Sequence, residues 1–408
     1  MARGGGPDMD DVAIAGAGPA GALAAAILAK AGLRVSVFDR ARFPRHKLCG
    51  DTLNPGALDV IGRHADVTSL VEMSDPIDGM LLTGPGGVRV RGQYGNGVTG
   101  RSITRKVLDQ WLLERAAAAG ADLHEETTIR DVSVANGRVG GLVTSGRQGQ
   151  AVHQPARMVL AADGRRSTIA IARGLSRQPR RPRRWAIGAY FTDVSGVTTF
   201  GEMHVRHGHY IGVAPVPGGL TNACVVVSHP PSRTRSGATS DLGDVPLAHP
   251  AEALERYLTA DPELSARFAS ARAVAPPVML GPIAVDTTAV GEPGLLLAGD
   301  AAGFIDPMTG DGLRFALMGA ELAAGIVTEV FEGSLPIERA HLELASRRRR
   351  AFQSKWRFNR ALRSLVSSPS SVTAAAVTAK LWPSLFGRMI RFAGDCDPAG
   401  AGPRKESL

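Results

Sequence analysis

The N-terminal part of the chain alternates between short apolar runs and one long alanine-rich segment. Residues 11–15 and 34–39 contain apolar runs of strand length, and residues 18–31 form an alanine-rich segment of helix length. A strand, a helix and a second strand in this order form a right-handed crossover between parallel neighbours. The pattern therefore predicts a βαβ unit and a parallel sheet.

Periodicity and turn signals predict the elements that follow. Apolar side chains recur at helical spacing over residues 105–119, which indicates a helix. Asn136-Gly137 separates two strand-like runs, residues 129–134 and 138–143, and this dipeptide is typical of a two-residue hairpin turn.

The composition changes near residue 174, where short alternating runs predict a β-rich insertion. Strands are expected at residues 186–191, 202–205, 210–214 and 223–227, followed by a loop at 232–244 and helices at 251–258 and 262–269. The first pattern then resumes with a buried strand at 294–298, a helix at 312–330 and a long basic helix at 337–363.

Charge narrows the range of partners. The formal net charge is +9, much of it in the basic runs 177–184 and 347–350. Solvated surface, an anionic membrane surface and an acidic substrate are the alternatives for these runs. Nucleic acid is not expected as a partner, because the runs carry no interleaved aromatic residues and match no nucleic-acid module. The sequence leaves the oligomeric state open.

The cysteines and the apolar stretches indicate where in the cell the protein is expected. Cys49, Cys224 and Cys396 are too few and too far apart for a disulfide framework or a CxxC site, so a cytoplasmic setting is expected. Residues 372–392 are apolar but interrupted by basic residues and proline, which predicts an amphipathic helix pair with peripheral membrane contact as one role.

A GxGxxG motif follows the first predicted strand. It consists of Gly16, Gly18, Pro19, Ala20 and Gly21, with Ala17 between the first two glycines. Its glycines let the backbone approach a pyrophosphate at the N-terminus of a helix. Asp39 lies 18 residues after Gly21, where an acid that binds a ribose hydroxyl is expected.

Two further glycine-rich motifs follow later in the chain. One contains Asp163 and Gly164, and the other runs from Gly299 and Asp300 to Gly310, Asp311, Gly312 and Leu313. Asp300 ends an apolar strand, and the last glycines open a helix whose N-terminus suits the negative charge of a reduced flavin. No dedicated NAD(P)H-binding domain is predicted, so electrons are expected from transiently bound NAD(P)H or from a partner reductase.

The three motifs in this order resemble the FAD superfamily of p-hydroxybenzoate hydroxylase. Within it, residues 43–50 (FPRHKLCG) are similar to the geranylgeranyl reductase family, as is the run 303–307. The resemblance implies an α/β fold with a Rossmann-like, glutathione-reductase-type FAD-binding domain, an inserted β-rich substrate domain and a helical C-terminal region. The expected division is 8–173 and 283–332 for the FAD-binding domain, 174–282 for the substrate domain, 333–397 for the helical region and 398–408 for a disordered tail.

The resemblance also assigns roles to individual positions. For FAD it implies the residues of the three motifs, together with Asp39 at the adenosine ribose, Arg40 beside the adenine, Arg105 on the dinucleotide, and Arg45, Lys47, Cys49 and Gly50 along the isoalloxazine. Cys49 and Lys47 are the catalytic candidates. Cys49 supplies a proton or packs as a small hydrophobe, and we expect Lys47 and Arg45 to lower its pKa.

The substrate wall departs from the reductase pattern. Candidate substrate-binding residues are Tyr210, Gly212, Ala214, Pro215 and Pro307. Gly212 and Ala214 stand where the family's Tyr-x-Trp-x-Phe-Pro element has Trp and Phe, which opens space for a bulky substrate. No metal site is expected, and His204, His207 and His209 are interpreted as a solvated hairpin, with a substrate-facing His as the alternative.

Three functions are compatible with these residues. The first is a flavin monooxygenase, a hydroxylase or epoxidase, that acts on a lipophilic, polyketide or phenolic small molecule. The second is a reductase of isoprenoid C=C bonds, which the matches at Cys49, Gly50 and Gly303 favour. The third is a redox-neutral flavoprotein in which FAD is structural.

Overall fold

Two large β-sheets, a three-stranded sheet, a two-stranded sheet and the connecting helices make up the part of the chain that the computed structural model describes. That part is residues 9–366 except 96, 147, 180–183 and 228–248, and residues 371–396 except 372, 373, 375, 376, 379 and 380. The loop predicted at 232–244 and the tail predicted at 398–408 lie outside it.

Helices and strands have the following bounds. The helices are α1 (Pro19–Lys30), α2 (Pro55–Gly62), α3 (Thr68–Glu72), α4 (Arg105–Ala118), α5 (Thr168–Ala172), α6 (Pro250–Ala260), α7 (Ser265–Phe268), α8 (Gly312–Phe331), α9 (Ala340–Val366) and α10 (Pro383–Gly394). The strands are β1 (Asp10–Ala15), β2 (Val35–Phe38), β3 (Thr52–Leu53), β4 (Asp75–Ile77), β5 (Gly79–Gly84), β6 (Val88–Gln93), β7 (Gly100–Ser102), β8 (Asp122–His124), β9 (Ile129–Ala135), β10 (Arg138–Ser145), β11 (Ala151–Ala161), β12 (Ser176–Arg177), β13 (Trp185–Thr192), β14 (Phe200–Arg206), β15 (His209–Val216), β16 (Leu220–Val227), β17 (Arg272–Ala273), β18 (Val278–Leu280), β19 (Asp286–Thr287), β20 (Gly291–Glu292) and β21 (Leu295–Leu297). Short 3-10 helices span Pro85–Gly87, Gly299–Ala302, Pro307–Thr309 and Ile337–Arg339. The three-stranded sheet has the order β3-β7-β4, and the two-stranded sheet pairs β12 with β19.

The first sheet has the strand order β20-β21-β11-β1-β2-β8, and β21, β11, β1, β2 and β8 run parallel. The predicted βαβ unit is confirmed, because β1, α1 and β2 follow one another and the two strands pair. The predicted hairpin is also confirmed. Asn136 and Gly137 both have positive φ angles, 52° and 72°, as a primed two-residue turn between β9 and β10 requires.

Small side chains let helices pack closely on one face of this sheet. Helix α1 buries five alanines and contacts both α4 and α8. Its neighbours fill the remaining space with larger residues such as Leu108, Trp111 and Leu317, all nearly inaccessible to solvent. Burial of this apolar surface, at roughly 25 cal/mol per Å², is the main stabilising term for this half of the molecule.

The second sheet has the order β17-β13-β16-β15-β14-β5-β6, with β18 beside β13. The four strands predicted between residues 186 and 227 are therefore confirmed as its centre. Its far edge is the hairpin β5–β6, which comes from the segment that sequence analysis assigned to the FAD-binding domain, and β5 pairs parallel with β14. The exact division into domains stays a prediction.

The C-terminal helices pack on α8 and on an edge strand of the second sheet. The long helix α9 packs on α8, and α10 packs against β6. The basic run in α9 is partly neutralised, since Arg347 forms a bidentate ion pair with Glu329 at 2.6 and 2.8 Å. Among the described residues no helix is both long and apolar enough to cross a bilayer.

Candidate active site

A cavity lies where the parallel sheet meets one face of the second sheet. Its wall is formed by Gly18, Pro19, Ala20, Lys47, Leu48, Cys49, Gly50, Thr52, Arg105, Ala162, Gly164, Arg165, Ala186, Met203, Tyr210, Gly212, Cys224, Val226, Leu280, Ile283, Gly299, Asp300, Phe304, Pro307, Gly310, Gly312, Leu313 and Ala316. The cavity thus brings together residues from all three glycine-rich motifs and from the predicted substrate wall.

Two positions of the first glycine turn, Gly16 and Gly21, accept only glycine. Gly16 has a φ of +96°, and a Cβ at this position would lie 2.6 Å from the carbonyl oxygen of Ala162. A Cβ on Gly21 would lie 1.8 Å from the carbonyl oxygen of Gly16. The turn therefore delivers Gly18, the N-cap of α1, to the cavity, where the free N–H groups of the helix face an incoming anion.

Asp39 braces this turn from the end of β2. Its carboxylate accepts hydrogen bonds from the amides of Ala17 and Ala41, both at 2.8 Å. A carboxylate has about four lone-pair sites, so two remain for ribose hydroxyls. Arg40, the predicted neighbour of the adenine, is exposed beside it.

Basic side chains surround the turn. The Arg105 guanidinium binds Asp109 at 2.6 and 2.7 Å, and Arg45 contacts the same carboxylate at 3.3 Å. Lys47 and Arg165 lie on the cavity wall with Asp300.

Burial lowers the pKa of Lys47 to about 8, an effect that the nearby guanidinium of Arg105 enlarges and the carboxylate of Asp300 opposes. These four cations outnumber the three carboxylates around the turn, those of Asp39, Asp109 and Asp300, and the excess of positive charge suits a pyrophosphate.

The third motif contributes a second glycine-lined surface. Gly299 (φ +59°) opens the 3-10 turn that carries Asp300 to the cavity, and Gly310 (φ +68°) precedes the N-terminus of α8. Gly312 and Leu313 also line the cavity. The backbone here presents a helix N-terminus to the cavity, as a reduced flavin requires.

The Asp311 side chain lies elsewhere. It is 1 % exposed, does not line the cavity, and accepts a hydrogen bond from Asn54 at 3.0 Å. Lys355 of α9 lies 3.6 Å from it and 3.0 Å from Asp395 at the end of α10. Asp311 therefore links the flavin-facing turn to the C-terminal helices.

Cys49 lies on the cavity wall between the two sheets. Burial raises the pKa of its thiol, while the Arg105 guanidinium and the Asp51 amide donate towards the sulfur and oppose that rise. The expected lowering of its pKa by Lys47 and Arg45 is wrong, because desolvation outweighs the surrounding charge. The thiol is therefore held in its protonated form.

The second sheet supplies the apolar wall. Tyr210, Gly212 and Pro307 line the cavity as predicted, whereas Ala214 and Pro215 do not. The Tyr210 hydroxyl donates to Asp306 at 2.8 Å, and Arg184 holds the other carboxylate oxygen at 2.5 Å.

Sequence reasoning missed several residues of this wall: Leu48, Ala186, Met203, Cys224, Val226, Leu280, Ile283 and Phe304. The strand alternation could have identified some of them, because Cys224 and Val226 face the same side as the directly paired Gly212 and Tyr210.

Two further candidates have other roles. Asp163 accepts from the Thr168 amide at 2.9 Å at the start of α5, and only its neighbour Gly164 reaches the cavity. His204 is fully buried between Thr83 and Glu202, both at 2.9 Å, so its interpretation as part of a solvated hairpin is wrong. Both His204 nitrogens are engaged, which leaves none to face a substrate.

FAD fits this set of residues. The glycine turns at residues 16–21 and 299–312 meet at one cavity, with excess positive charge at one end and an apolar wall at the other. Arg105, Lys47 and the turn before α1 would hold the pyrophosphate, and the segment 47–50 would lie along the ring system.

The fold and the cavity define a flavin-dependent oxidoreductase. A family model described as "FAD binding domain" matches residues 9–356, so the chain belongs to that family and is an FAD-dependent oxidoreductase. The chain is 30 % identical over 331 residues to digeranylgeranylglycerophospholipid reductase 1 of Methanopyrus kandleri, covering 79 % of this chain and 81 % of that one. It is 28 % identical over 339 residues to geranylgeranyl diphosphate reductase of Rhodobacter capsulatus, covering 82 % and 78 %.

One more sequence relative and two solved structures are also similar to this chain. Conditioned medium factor receptor 1 of Dictyostelium discoideum is 29 % identical over 352 residues, which cover 79 % of this chain and 64 % of that protein. The myxobacterial chondrochloren halogenase superimposes with a TM-score of 0.79 at 21 % identity, over 94 % of this chain and 91 % of that one. A geranylgeranyl bacteriochlorophyll reductase-like protein of Thermoplasma acidophilum superimposes with a TM-score of 0.74 at 22 % identity, over 95 % of this chain and 92 % of that one. At these identities the structural similarity shows the fold alone.

Proposed function

We propose that this protein reduces C=C bonds of a lipophilic, isoprenoid-type substrate. The observation that carries the proposal is the position of Cys49, whose protonated thiol lies on the cavity wall next to the glycine turns for FAD. A reductase needs a proton donor at this place, whereas oxygen insertion gives a protonated thiol on this wall no role.

The reaction divides into two transfers. When bound and reduced, FAD would supply a hydride, which is one proton with two electrons. The Cys49 S–H bond breaks and its proton goes to the other alkene carbon, so that two C–H bonds replace the π bond. The thiolate then takes a proton from solvent, and NAD(P)H or a partner reductase restores the reduced flavin.

The apolar wall supports a substrate of this kind. Met203, Val226, Ile283 and Phe304 present hydrocarbon and aromatic surface, and Tyr210 offers its ring while its hydroxyl is bound to Asp306. A prenyl chain would gain roughly 0.8 kcal/mol for each buried methylene. The sequence relatives include reductases of geranylgeranyl diphosphate and of a digeranylgeranyl lipid, which agrees with this class.

A second candidate is oxygen insertion into a bulkier polyketide or phenolic substrate. The observation that favours it is the open space at Gly212, where an added Cβ would meet no atom closer than 3.9 Å. The space accepts a ring as readily as a bent prenyl chain. The two candidates differ in their requirement for oxygen.

Anaerobic product analysis separates them. FAD-loaded protein is reduced with light or dithionite and mixed with geranylgeranyl diphosphate or a long-chain isoprenoid quinone, and products are identified by mass spectrometry. A saturated product that gains two hydrogens without oxygen supports the proposal. A product formed only in air and carrying label from ¹⁸O₂ refutes it and selects oxygen insertion.

Cysteine variants test the proton donor. Cys49→Ser should keep FAD bound and lower the reduction rate about a hundredfold or more, the scale expected for loss of a general acid. Cys396→Ser is the matched control, since this thiol does not line the cavity. Equal rates for the two variants would remove Cys49 from the mechanism.

A further inference from the structure

A buried carboxyl group lies directly after the Cys49-Gly50 pair. Asp51 is 0 % exposed and has a φ of 52°, a left-handed conformation that is uncommon for a residue with a side chain. Its carboxylate accepts from the Tyr190 hydroxyl at 2.6 Å, from the Asn222 amide at 2.6 Å and from the Arg105 backbone amide at 3.2 Å. Asp51 does not line the cavity, so its role is exerted through its neighbours.

Two of these donors come from neighbouring strands of the second sheet. Tyr190 on β13 and Asn222 on β16 are directly paired residues of the second sheet. The third donor, the Arg105 amide, opens α4 in the first half of the molecule. The Asp51 carboxylate therefore joins the substrate sheet to the helix whose first residue also reaches the cavity.

Asn222 also holds Cys49 itself. Its side-chain amide donates to the Cys49 carbonyl oxygen at 2.7 Å as well as to Asp51. One amide group thus holds the Cys49 backbone and the Asp51 side chain, on either side of Gly50, and the sheet that forms the substrate wall sets the position of the thiol.

We propose that Asp51 and Asn222 are positioning residues, which fix the Cys49 thiol at the cavity wall and keep it protonated. The inference rests on the proposed function only for the use made of the thiol. The way in which the thiol is held does not depend on the reaction. A buried anion two residues away disfavours a second negative charge on the sulfur.

Few charged or titratable groups surround the Cys49 thiol and the Asp51 carboxylate. Arg105, Asp51 and Cys224 face Cys49, and Tyr190, Asn222 and Arg105 face Asp51. Burial raises the pKa of Asp51 to about 6 although its three donors lower it, so the group carries its charge at neutral pH. Loss of that charge should lower the pKa of the thiol, because Arg105 would then be the nearest charged group.

Alkylation of the thiol tests this directly. FAD-loaded protein with Cys224→Ala and Cys396→Ser leaves Cys49 as its single cysteine, and its rate of reaction with iodoacetamide is followed by mass spectrometry from pH 6 to 10. Asp51→Asn should move the midpoint of the rate profile down by about one pH unit. Asn222→Ala and Tyr190→Phe should raise the rate at pH 8, the former about fivefold because it releases two contacts.

Tyr94→Phe is the matched control, because it removes the hydroxyl of a buried tyrosine that does not line the cavity. It should leave the alkylation profile of the parent protein unchanged. Profiles for Asp51→Asn and Tyr190→Phe that match the parent, with the flavin spectrum intact, would overturn the inference. Tyr190→Phe removes a single oxygen atom, so this variant can still be used for the test if Asn222→Ala does not fold. The alkylation test measures no turnover, so its result can be interpreted even if the proposed reaction is wrong.

Discussion

Lys47 predicts a pH dependence of FAD affinity. The side chain lies on the cavity wall near Gly164, and burial lowers its pKa to about 8 in the flavin-free protein. Bound pyrophosphate places negative charge beside it, which favours the ammonium form and raises the pKa again. FAD binding therefore takes up a proton above pH 8. By linkage, affinity is highest below pH 8 and falls as the pH rises through that value.

The size of the effect follows from the two pKa values. Return of the Lys47 pKa from about 8 to its ordinary 10.5 corresponds to about 3 kcal/mol, or a few hundredfold in the dissociation constant. This is an upper limit, because part of the lowering comes from Arg105 and persists when FAD binds. Lys47→Met should weaken binding by up to this factor at pH 7 and by much less at pH 10.

The assay is a titration of flavin-free protein with FAD, followed by flavin fluorescence at constant ionic strength between pH 6.5 and 10. The parent protein should show a dissociation constant that rises above pH 8, and Lys47→Met should show a flat profile. Lys106→Met, a change at a neighbouring surface lysine of α4 that does not line the cavity, serves as the control. A parent profile that stays flat, or a slope that Lys47→Met preserves, would refute the reasoning.

Three more variants test the fold around the cavity. Gly21→Ala places a Cβ 1.8 Å from a backbone oxygen, so purified protein should lose its flavin absorbance, whereas Gly140→Ala, where a Cβ meets nothing within 4 Å, should keep it. Gly212→Trp fills the open part of the cavity with the residue that the reductase element carries there, so it should raise the KM for a bulky phenolic or polyketide substrate at least about tenfold, while a prenyl substrate is still accepted and FAD titrates normally. Lys355→Met leaves Asp311 buried without its cation and should lower the free energy of urea unfolding by about 3 kcal/mol. An unchanged unfolding midpoint for Lys355→Met would show that the ion cluster does not stabilise the attachment of the C-terminal helices.

Local signals predicted the elements that depend on local interactions. The turn at residues 16–21, the Asn136-Gly137 hairpin and the helix from Gly312 are each determined by a few adjacent residues. The hairpin β5–β6, which sequence analysis did not predict, alternates between buried and more accessible positions. Its partner β14, however, begins more than a hundred residues later, and no local pattern indicates that pairing.

The same distinction separates the two halves of the site. The flavin-facing motifs could be brought together from sequence, because β1, β11 and β21 are adjacent parallel strands and each ends in one motif. Carboxyl ends of parallel strands meet at one edge of a sheet, which is where nucleotides bind. The convergence of the three motifs is thus a consequence of strand order and direction.

The contacts that hold Cys49 follow no such rule. Asp51 meets Tyr190 and Asn222 across separations of 139 and 171 residues, and each of these polar residues alone is unremarkable in its strand. Only when β13 pairs with β16 do the two side chains lie opposite each other, and only when the segment after Cys49 folds onto that sheet does the carboxyl group become buried. Burying a carboxylate without hydrogen-bond donors costs free energy. Asp51 can therefore be buried only where its three donors are in place, and those donors reach it only once the segment has docked on the sheet. The position of the thiol therefore depends on tertiary structure, whereas the position of the flavin is already indicated by the order of the motifs.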